Sequence, residues 1–273
     1  MPSRRIWERD ERVSVYLSDR RSRYPSITKT GDGRQLVLFM HQSEEQESSG
    51  GGDLMSMKCS TDGKWWLEKQ VIHESKGSEP RAYGTMTVLG SGQIMAPFTE
   101  LNDQSATSQV RIAVSQDHGD TFDVGSPIAM NPLVWAAPSG RLFELDGTLV
   151  MPVFGALSEE DLKQTRHTCG LFRSSDGGKT WGDWSVIASG SEGDLSFEYC
   201  SVLPLHDGTI LAVLTGRRLQ RGADAVQVIM RCFSVDGGRT WTAPDQLCVG
   251  SWPALASVGE TTTVCAYTMW CGW

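Results

Sequence analysis

A short motif recurs four times along the chain and constrains the fold more than any other feature. It reads Ser-x-Asp-x-Gly-x-Thr-Trp at residues 174–181 and again at 234–241. A third copy at 115–122 ends in Phe instead of Trp, and a shorter, degenerate copy lies at 60–65. Successive copies start 55, 59 and 60 residues apart. This near-constant spacing indicates that the chain is built from tandem structural units.

A second motif runs in step with the first. It consists of a short apolar segment, a glycine-containing turn and another apolar segment. An Asp-Gly turn between two such segments favours a β-hairpin, because glycine adopts positive φ at little cost. The copies lie at 26–39, 85–98, 140–154 and 201–214, with a weaker fifth copy at 253–267.

Each unit therefore contains two predicted hairpins, or four strands, and the recurring motif forms the turn of the second hairpin. Its Ser and Asp can accept backbone N–H groups across that turn, while its Trp can pack against the sheet. Four-stranded units of nearly 60 residues are typical of propeller blades. We predict an all-β fold, a β-propeller of four-stranded blades.

The repeated motif resembles the Asp-box, the bacterial neuraminidase repeat of the sialidase superfamily. The resemblance extends over nearly the whole chain from about residue 21. It implies a six-bladed propeller, whereas 273 residues at the mean spacing of about 58 supply fewer than five blades. We therefore expect a single propeller domain over residues 1–273, with about four to five blades, incomplete at its C-terminus. The boxes indicate the fold and leave the activity open.

Composition excludes several functional classes. The net charge of -8 argues against a nucleic-acid partner, which requires surplus cations to neutralise phosphates. The apolar runs are too short to span a bilayer, and the N-terminus has no signal-peptide pattern, so a native start would place the protein in the cytoplasm. The seven cysteines are odd in number and form no CxxC pair, which favours buried thiols over a zinc site. We expect no metal and no cofactor.

The innermost strands of a propeller converge on one axis, so the residues near their starts are candidates for a shared site. Counting back nine residues from the turn Asp reaches Arg23 in the first unit and Glu198 in the fourth. The same place falls near Arg81 in the second unit and on Ala137 in the third. Aromatic residues near these strand ends are open to sugar stacking or to packing between blades: Tyr83, Trp135, Trp252 and Trp270.

The tripeptide at 23–25, Arg-Tyr-Pro, is similar to the Arg-Ile-Pro motif that opens sialidase catalytic domains. The resemblance implies that Arg23 belongs to an arginine triad that grips the carboxylate of sialic acid. A guanidinium fork binds a carboxylate through two hydrogen bonds and keeps its charge. The alternative is a surface arginine paired with a nearby acid.

Glu198 opens a segment that resembles the family's glutamate-containing strand. The resemblance implies that Glu198 is the base that activates a tyrosine nucleophile, since a phenol with its usual pKa near 10 is a weak nucleophile. It also implies a second arginine clamp, either Arg217 or Arg218. A solvated acid at a strand end is the alternative for Glu198.

The segment 41–53 departs from the family pattern, because it contains no arginine. His41 occupies the arginine's place as a substrate-binding candidate. The general acid would come from this acidic loop, in which the candidates are Glu44, Glu45, Glu47 and Asp53. Such a loop is often only a solvated connection. The family's tyrosine nucleophile and third arginine align with no residue here.

These observations favour an exo-α-sialidase-type glycoside hydrolase that removes a terminal sialic acid or related acidic sugar from a glycan. Two alternatives remain open. One is a related propeller glycosidase with a different sugar substrate, and the other is a non-catalytic propeller that binds carbohydrate. In each case we expect a glycan partner and no membrane partner.

Overall fold

β-Strands account for nearly all of the regular structure. The computed structural model describes residues 15–42, 51–62, 64–67, 69–75, 77–102, 107–190, 194–219, 226–259 and 261–269. Blade 1 is a four-stranded sheet in chain order, and its strands are β1 (Ser22–Lys29), β2 (Gln35–His41), β3 (Asp53–Lys58) and β4 (Gln70–His73).

Blades 2 and 3 each contain a sheet of four strands and one further short strand, which pairs with the second strand of that sheet. Blade 2 comprises β5 (Glu79–Arg81), β6 (Thr87–Val88), β7 (Ile94–Asn102), β8 (Thr107–Ser115) and β9 (Asp123–Val124). Blade 3 comprises β10 (Trp135–Pro138), β11 (Phe143–Leu145), β12 (Thr148–Ala156), β13 (Thr168–Ser174) and β14 (Gly182–Ser189), with the short helix α1 (Glu159–Lys163) between β12 and β13.

Blade 4 is again a four-stranded sheet, and a two-stranded fifth sheet follows it. Blade 4 comprises β15 (Leu195–Pro204), β16 (Ile210–Arg218), β17 (Gln227–Ser234) and β18 (Asp245–Val249). The fifth sheet comprises β19 (Ser251–Val258) and β20 (Thr262–Thr268). All pairings within the sheets are antiparallel, so the prediction of an all-β propeller with four-stranded blades is confirmed.

The Asp-boxes form the predicted turns between the third and fourth strands. Ser174 donates to Asp176 at 2.7 Å, and Asp176 accepts the backbone N–H of Thr180 at 2.9 Å and its hydroxyl at 2.6 Å. The box at 234–241 repeats these three contacts with nearly the same distances. The Trp181 ring leaves the turn and is buried in the core between blades 2 and 3.

The hydrophobic core lies between adjacent blades, because each sheet has two faces to cover. Leu38 of blade 1 packs with Phe98 of blade 2, and Ile112 of blade 2 packs with Phe172 of blade 3. Burial of this apolar surface is the main force that holds the blades side by side. The other face of blade 1 is covered partly by Tyr16.

A buried arginine also joins blades 3 and 4. Arg173 on β13 donates from Nη2 to the backbone carbonyls of Gly237 and Gly238, at 3.1 and 2.9 Å. Those two glycines belong to the box of blade 4. Polar contacts at the box turns therefore hold neighbouring blades in position, as does the apolar core.

The antiparallel order places the two turns of each blade at one end and the connection between its second and third strands at the opposite end. We call the end that carries the turns the box end, and the opposite end the site end. The inner strands β1, β5, β10, β15 and β19 all begin there.

Candidate active site

The inner strands converge on one aromatic cluster, which we call the axial cluster. Its centre is Tyr83 of blade 2, whose ring contacts one aromatic ring from each of the other four sheets. The centroid distances from Tyr83 are 5.3 Å to Tyr24, 6.0 Å to Phe154, 5.5 Å to Tyr199 and 6.1 Å to Trp252. A flat stack of sheets could not bring five sheets to one ring, so the units fan around an axis.

Bulges in the inner strands direct three of these rings. Tyr24, Tyr199 and Trp252 have positive φ angles of 54°, 50° and 59°, and the strand register shifts at each of them. A non-glycine residue adopts this backbone conformation at a cost, and such strain is concentrated at functional sites. The bulge also interrupts the alternation of side chains, so Tyr199 lies in the axial cluster although it follows Glu198 directly.

Glu198 lies at the site end of β15 beside this cluster. It is 7% exposed. Its Oε1 accepts hydrogen bonds from Nη2 of Arg217 at 2.8 Å, from the Ser196 hydroxyl at 3.1 Å and from Nδ1 of His167 at 3.1 Å. All of these bonds reach one carboxylate oxygen, so the arrangement also fixes the orientation of the carboxylate plane.

These neighbours keep Glu198 ionised. Burial by itself would raise the pKa of Glu198, but the hydrogen bond and charge of His167 and the guanidinium of Arg217 outweigh it and lower the pKa to about 2. A carboxylate with such a pKa can act as a base or nucleophile, or stabilise a positive charge. It is a poor general acid at neutral pH.

The phenols of the axial cluster remain protonated. Burial raises the pKa of Tyr83 to about 12, and burial is also the main cause of the raised pKa of Tyr199. Neither hydroxyl is therefore activated as a nucleophile. The geometry supports a role for these rings as an apolar wall. Trp252 stacks on Tyr199 at a centroid distance of 4.5 Å and is 42% exposed.

A second group of charges lies beside Tyr83 and Tyr24. Arg81 pairs with the buried Glu79 at 2.8 Å, and its guanidinium lies 5.3 Å from the centre of the Tyr24 ring. Burial raises the pKa of Tyr24, and the charge of Arg81 opposes that shift. Arg23, which precedes Tyr24 in the chain, is exposed at the start of β1. Arg81 is connected to Tyr199, the neighbour of Glu198, through the adjoining rings of Tyr24 and Tyr83.

The two arginine candidates at the end of β16 differ in their surroundings. Arg217 bonds Glu198 and also donates to the carbonyl of Thr165 at 2.7 Å. Arg218 is exposed and pairs with Leu195 in the strand register, one residue beyond the pair formed by Arg217 and Ser196. The geometry therefore brings Arg217, and not Arg218, to Glu198.

The candidates from segment 41–53 lie elsewhere in blade 1. His41 is buried between the Tyr16 hydroxyl at 3.2 Å and the Ser22 hydroxyl at 3.1 Å, and burial is the main cause of its lowered pKa. Asp53 faces His41 in the strand register and accepts the backbone N–H of Ser75 at 3.0 Å. Both contact blade 1 and the segments that flank it, and their roles in binding and catalysis stay predictions.

Four candidates from sequence lie outside the described residues, namely Glu44, Glu45, Glu47 and Trp270. Two other residues contribute to the site without having been predicted. His167 had no recognisable motif, because it reaches Glu198 from a loop of another blade. Glu79 could have been found, since residues two apart on a strand face the same side and Arg81 was a candidate.

A search of the described residues for three or more His, Cys, Asp or Glu side chains placed to hold a metal ion finds none. Nor does the described part of the chain contain a helix long and apolar enough to cross a membrane.

The fold and the repeated boxes define the class of protein, a β-propeller of Asp-box units with a polar centre at the end of its axis. A family model described as a BNR repeat-like domain matches residues 57–260. The chain belongs to this family, and the resemblance to sialidase-type propellers is confirmed at the level of the repeat and the fold.

Solved structures with the same fold include proteins of different names. A protein of unknown function from Dyadobacter fermentans is 19% identical with a TM-score of 0.75, and the match covers 93% of this chain and 77% of that one. An α-L-arabinanase from Penicillium chrysogenum, complexed with arabinobiose, is 15% identical with a TM-score of 0.69, with coverages of 90% and 75%. A Trypanosoma rangeli sialidase is 17% identical with a TM-score of 0.61, with coverages of 91% and 44%. No curated protein matches the sequence.

Proposed function

We propose that the protein is a glycoside hydrolase that removes a terminal sugar from a glycan at the site end of the propeller axis. The observation that carries this proposal is Glu198, a buried carboxylate held ionised beside aromatic rings from five sheets. Aromatic walls suit the apolar faces of sugar rings. Two of the solved structures that share the fold are named as an arabinanase and a sialidase.

In this proposal Glu198 stabilises the positive charge that develops at the anomeric carbon. An ionised carboxylate in a site from which water is partly excluded does this better than one in bulk water, because fewer dipoles must reorient. Arg217 and His167 hold the carboxylate in one orientation. Trp252 supplies the exposed ring on which a sugar can stack.

The finer proposal is an acidic sugar of the sialic acid type. Arg81 pairs with Glu79 and Arg217 pairs with Glu198, while Arg23 is exposed at the start of β1. Counting these arginines and glutamates alone, the formal charges of +3 and -2 leave +1, which complements one substrate carboxylate, and a protonated His167 would add to it. The exposed Arg23 is the guanidinium best placed to bind it.

A neutral sugar is the second candidate, and a specific observation favours it. Arg81 and Arg217 already pair with Glu79 and Glu198, each at 2.8 Å. Arginines engaged in this way have less capacity to grip a substrate carboxylate. An arabinofuranoside-type substrate would need only the carboxylate and the aromatic wall.

Hydrolysis of fluorogenic glycosides tests the function. We expect the wild type to cleave an α-sialoside or an α-L-arabinofuranoside, and Glu198→Gln to lower kcat/KM by about 10²–10⁴-fold. Glu144→Gln, an exposed glutamate on β11, is the matched control and should retain full activity. Arg23→Ala should impair only the sialoside. Binding of sugars without any turnover would contradict the proposal and favour a carbohydrate-binding propeller.

A further inference from the structure

The contact between His167 and Glu198 determines which nitrogen of the ring carries a proton. A carboxylate accepts hydrogen bonds and cannot donate them once ionised, and Nδ1 of His167 lies 3.1 Å from Oε1 of Glu198. Nδ1 is therefore protonated. Nε2 is left as the ring nitrogen that can gain or lose a proton, the arrangement in which a carboxylate prepares a histidine for proton transfer.

The His167 ring is fixed by its neighbours. It stacks on Trp135 at a centroid distance of 5.1 Å with 15° between the planes, and Phe154 packs edge-on at 5.6 Å. The side chain is 12% exposed. A ring held in this way loses little freedom when it meets a substrate.

The backbone before His167 is held in a strained form by blade 4. Thr165 has a φ of 51°, which a β-branched residue adopts only under constraint. Its carbonyl accepts a hydrogen bond from Arg217 at 2.7 Å, and the Ser196 hydroxyl oxygen lies 3.0 Å from the same carbonyl oxygen. The same Ser196 oxygen accepts the backbone N–H of His167 at 2.9 Å. The residues that surround Glu198 thus also position this loop.

We propose that His167 is the proton donor of the site, an inference that rests on the glycosidase function proposed above. Glu198, with a carboxylate that stays ionised, cannot supply that proton. The imidazolium Nε2–H gives its proton to the glycosidic oxygen as the bond from that oxygen to the anomeric carbon breaks. Water then bonds to the anomeric carbon and returns a proton to Nε2. The products are the free alcohol and the released sugar, and His167 regains its starting state.

The charged groups around His167 suit this role. Glu198 faces it from β15, with Arg217 behind the carboxylate on β16. On its own loop, Arg166 pairs with Asp161 at 3.3 Å. Trp135 and Phe154, which pack against the His167 ring, are uncharged. The Tyr199 ring in turn packs against Phe154.

The ¹⁵N NMR spectrum of the full chain tests the pair without any need for activity. The His167 signals are assigned by their loss in His167→Gln. We expect the neutral ring to carry its proton on Nδ1 in the wild type. A neutral ring protonated on Nε2 would overturn the proposal.

Leaving-group dependence then separates proton donation from a merely structural role. In His167→Gln, the amide can still donate to Glu198 but cannot release a proton. We expect kcat to fall about 10²–10⁴-fold for an alkyl glycoside and to change little for an aryl glycoside whose leaving group needs no proton. An equal loss for both substrates would refute proton donation.

His206→Gln is the matched control, because His206 is exposed in the β15–β16 turn at the box end. We expect it to behave as wild type in both experiments. A wild type that cleaves no glycoside refutes the glycosidase function and, with it, proton donation to a glycosidic oxygen, while the NMR result still decides whether Glu198 holds the Nδ1 tautomer.

Discussion

At the scale of single residues, two opposing effects set the ionisation of Glu198. Burial disfavours the charged carboxylate, and the hydrogen-bond donors around it favour the charged form. A buried carboxylate is costly unless hydrogen-bond donors surround it, and the charged Arg217 and the ring of His167 provide them. This compensation is what makes Glu198 an ionised group in an otherwise aromatic environment. It also makes the stability of the protein depend on pH.

The lowered pKa of Glu198, about 2 against an ordinary value of 4.5, predicts the sign of that dependence. A carboxylate with a lower pKa in the folded state contributes stability above pH 4.5 and loses it as the pH falls toward 2. From pH 6 to pH 3 we expect the wild type to lose about 2 kcal/mol more unfolding free energy than Glu198→Gln. Urea unfolding at both pH values measures the difference.

Glu144→Gln is again the control, since its carboxylate is exposed. It should follow the wild-type curve. Parallel curves for the wild type and Glu198→Gln would show that Glu198 has an ordinary pKa in the folded protein.

At the scale of elements, the hairpins and boxes could be predicted because each depends on a few local residues. The turn at Asp32-Gly33 needs a positive φ, which is 85° at Gly33. The inner strands could be predicted less well. In blade 2 the strand is interrupted between β5 and β6 around Gly84, which also has positive φ, so counting residues from the turn loses register.

Contacts between elements explain what sequence reasoning missed. Arg217 and Glu198 lie on paired strands of one hairpin, so their proximity follows from local pairing. His167 comes from the connection between β12 and β13, and no local pattern records which blade that loop will contact. Tyr16 and Ser22 contact the two ring nitrogens of His41, and its role as a substrate-binding residue stays a prediction.

The box tryptophans predict a graded effect on stability. Trp181 is 9% exposed in the core between blades 2 and 3, whereas Trp65 of the degenerate box is 70% exposed. Trp181→Ala should cost about 3–5 kcal/mol, because it leaves a cavity between two blades. Trp65→Ala should change the unfolding free energy by less than about 0.5 kcal/mol. Equal effects in chemical unfolding would show that the box ring does not join the blades.

At the scale of the whole molecule, the tandem units matter because they share one axis. Arg23 and Glu198 are remote in sequence, yet Tyr24, Tyr83 and Tyr199 form a continuous path of ring contacts between them. The propeller therefore brings aromatic rings from separate blades into one centre. We place the sugar at this centre, against Trp252 and within reach of Glu198.

A crystal structure of the protein soaked with the sugar released from its best substrate tests this placement most directly. We predict the sugar ring stacked on Trp252, with its anomeric carbon next to the Glu198 carboxylate. A sugar bound at the box end or on the outer strands, with the axial cluster empty, would contradict the account.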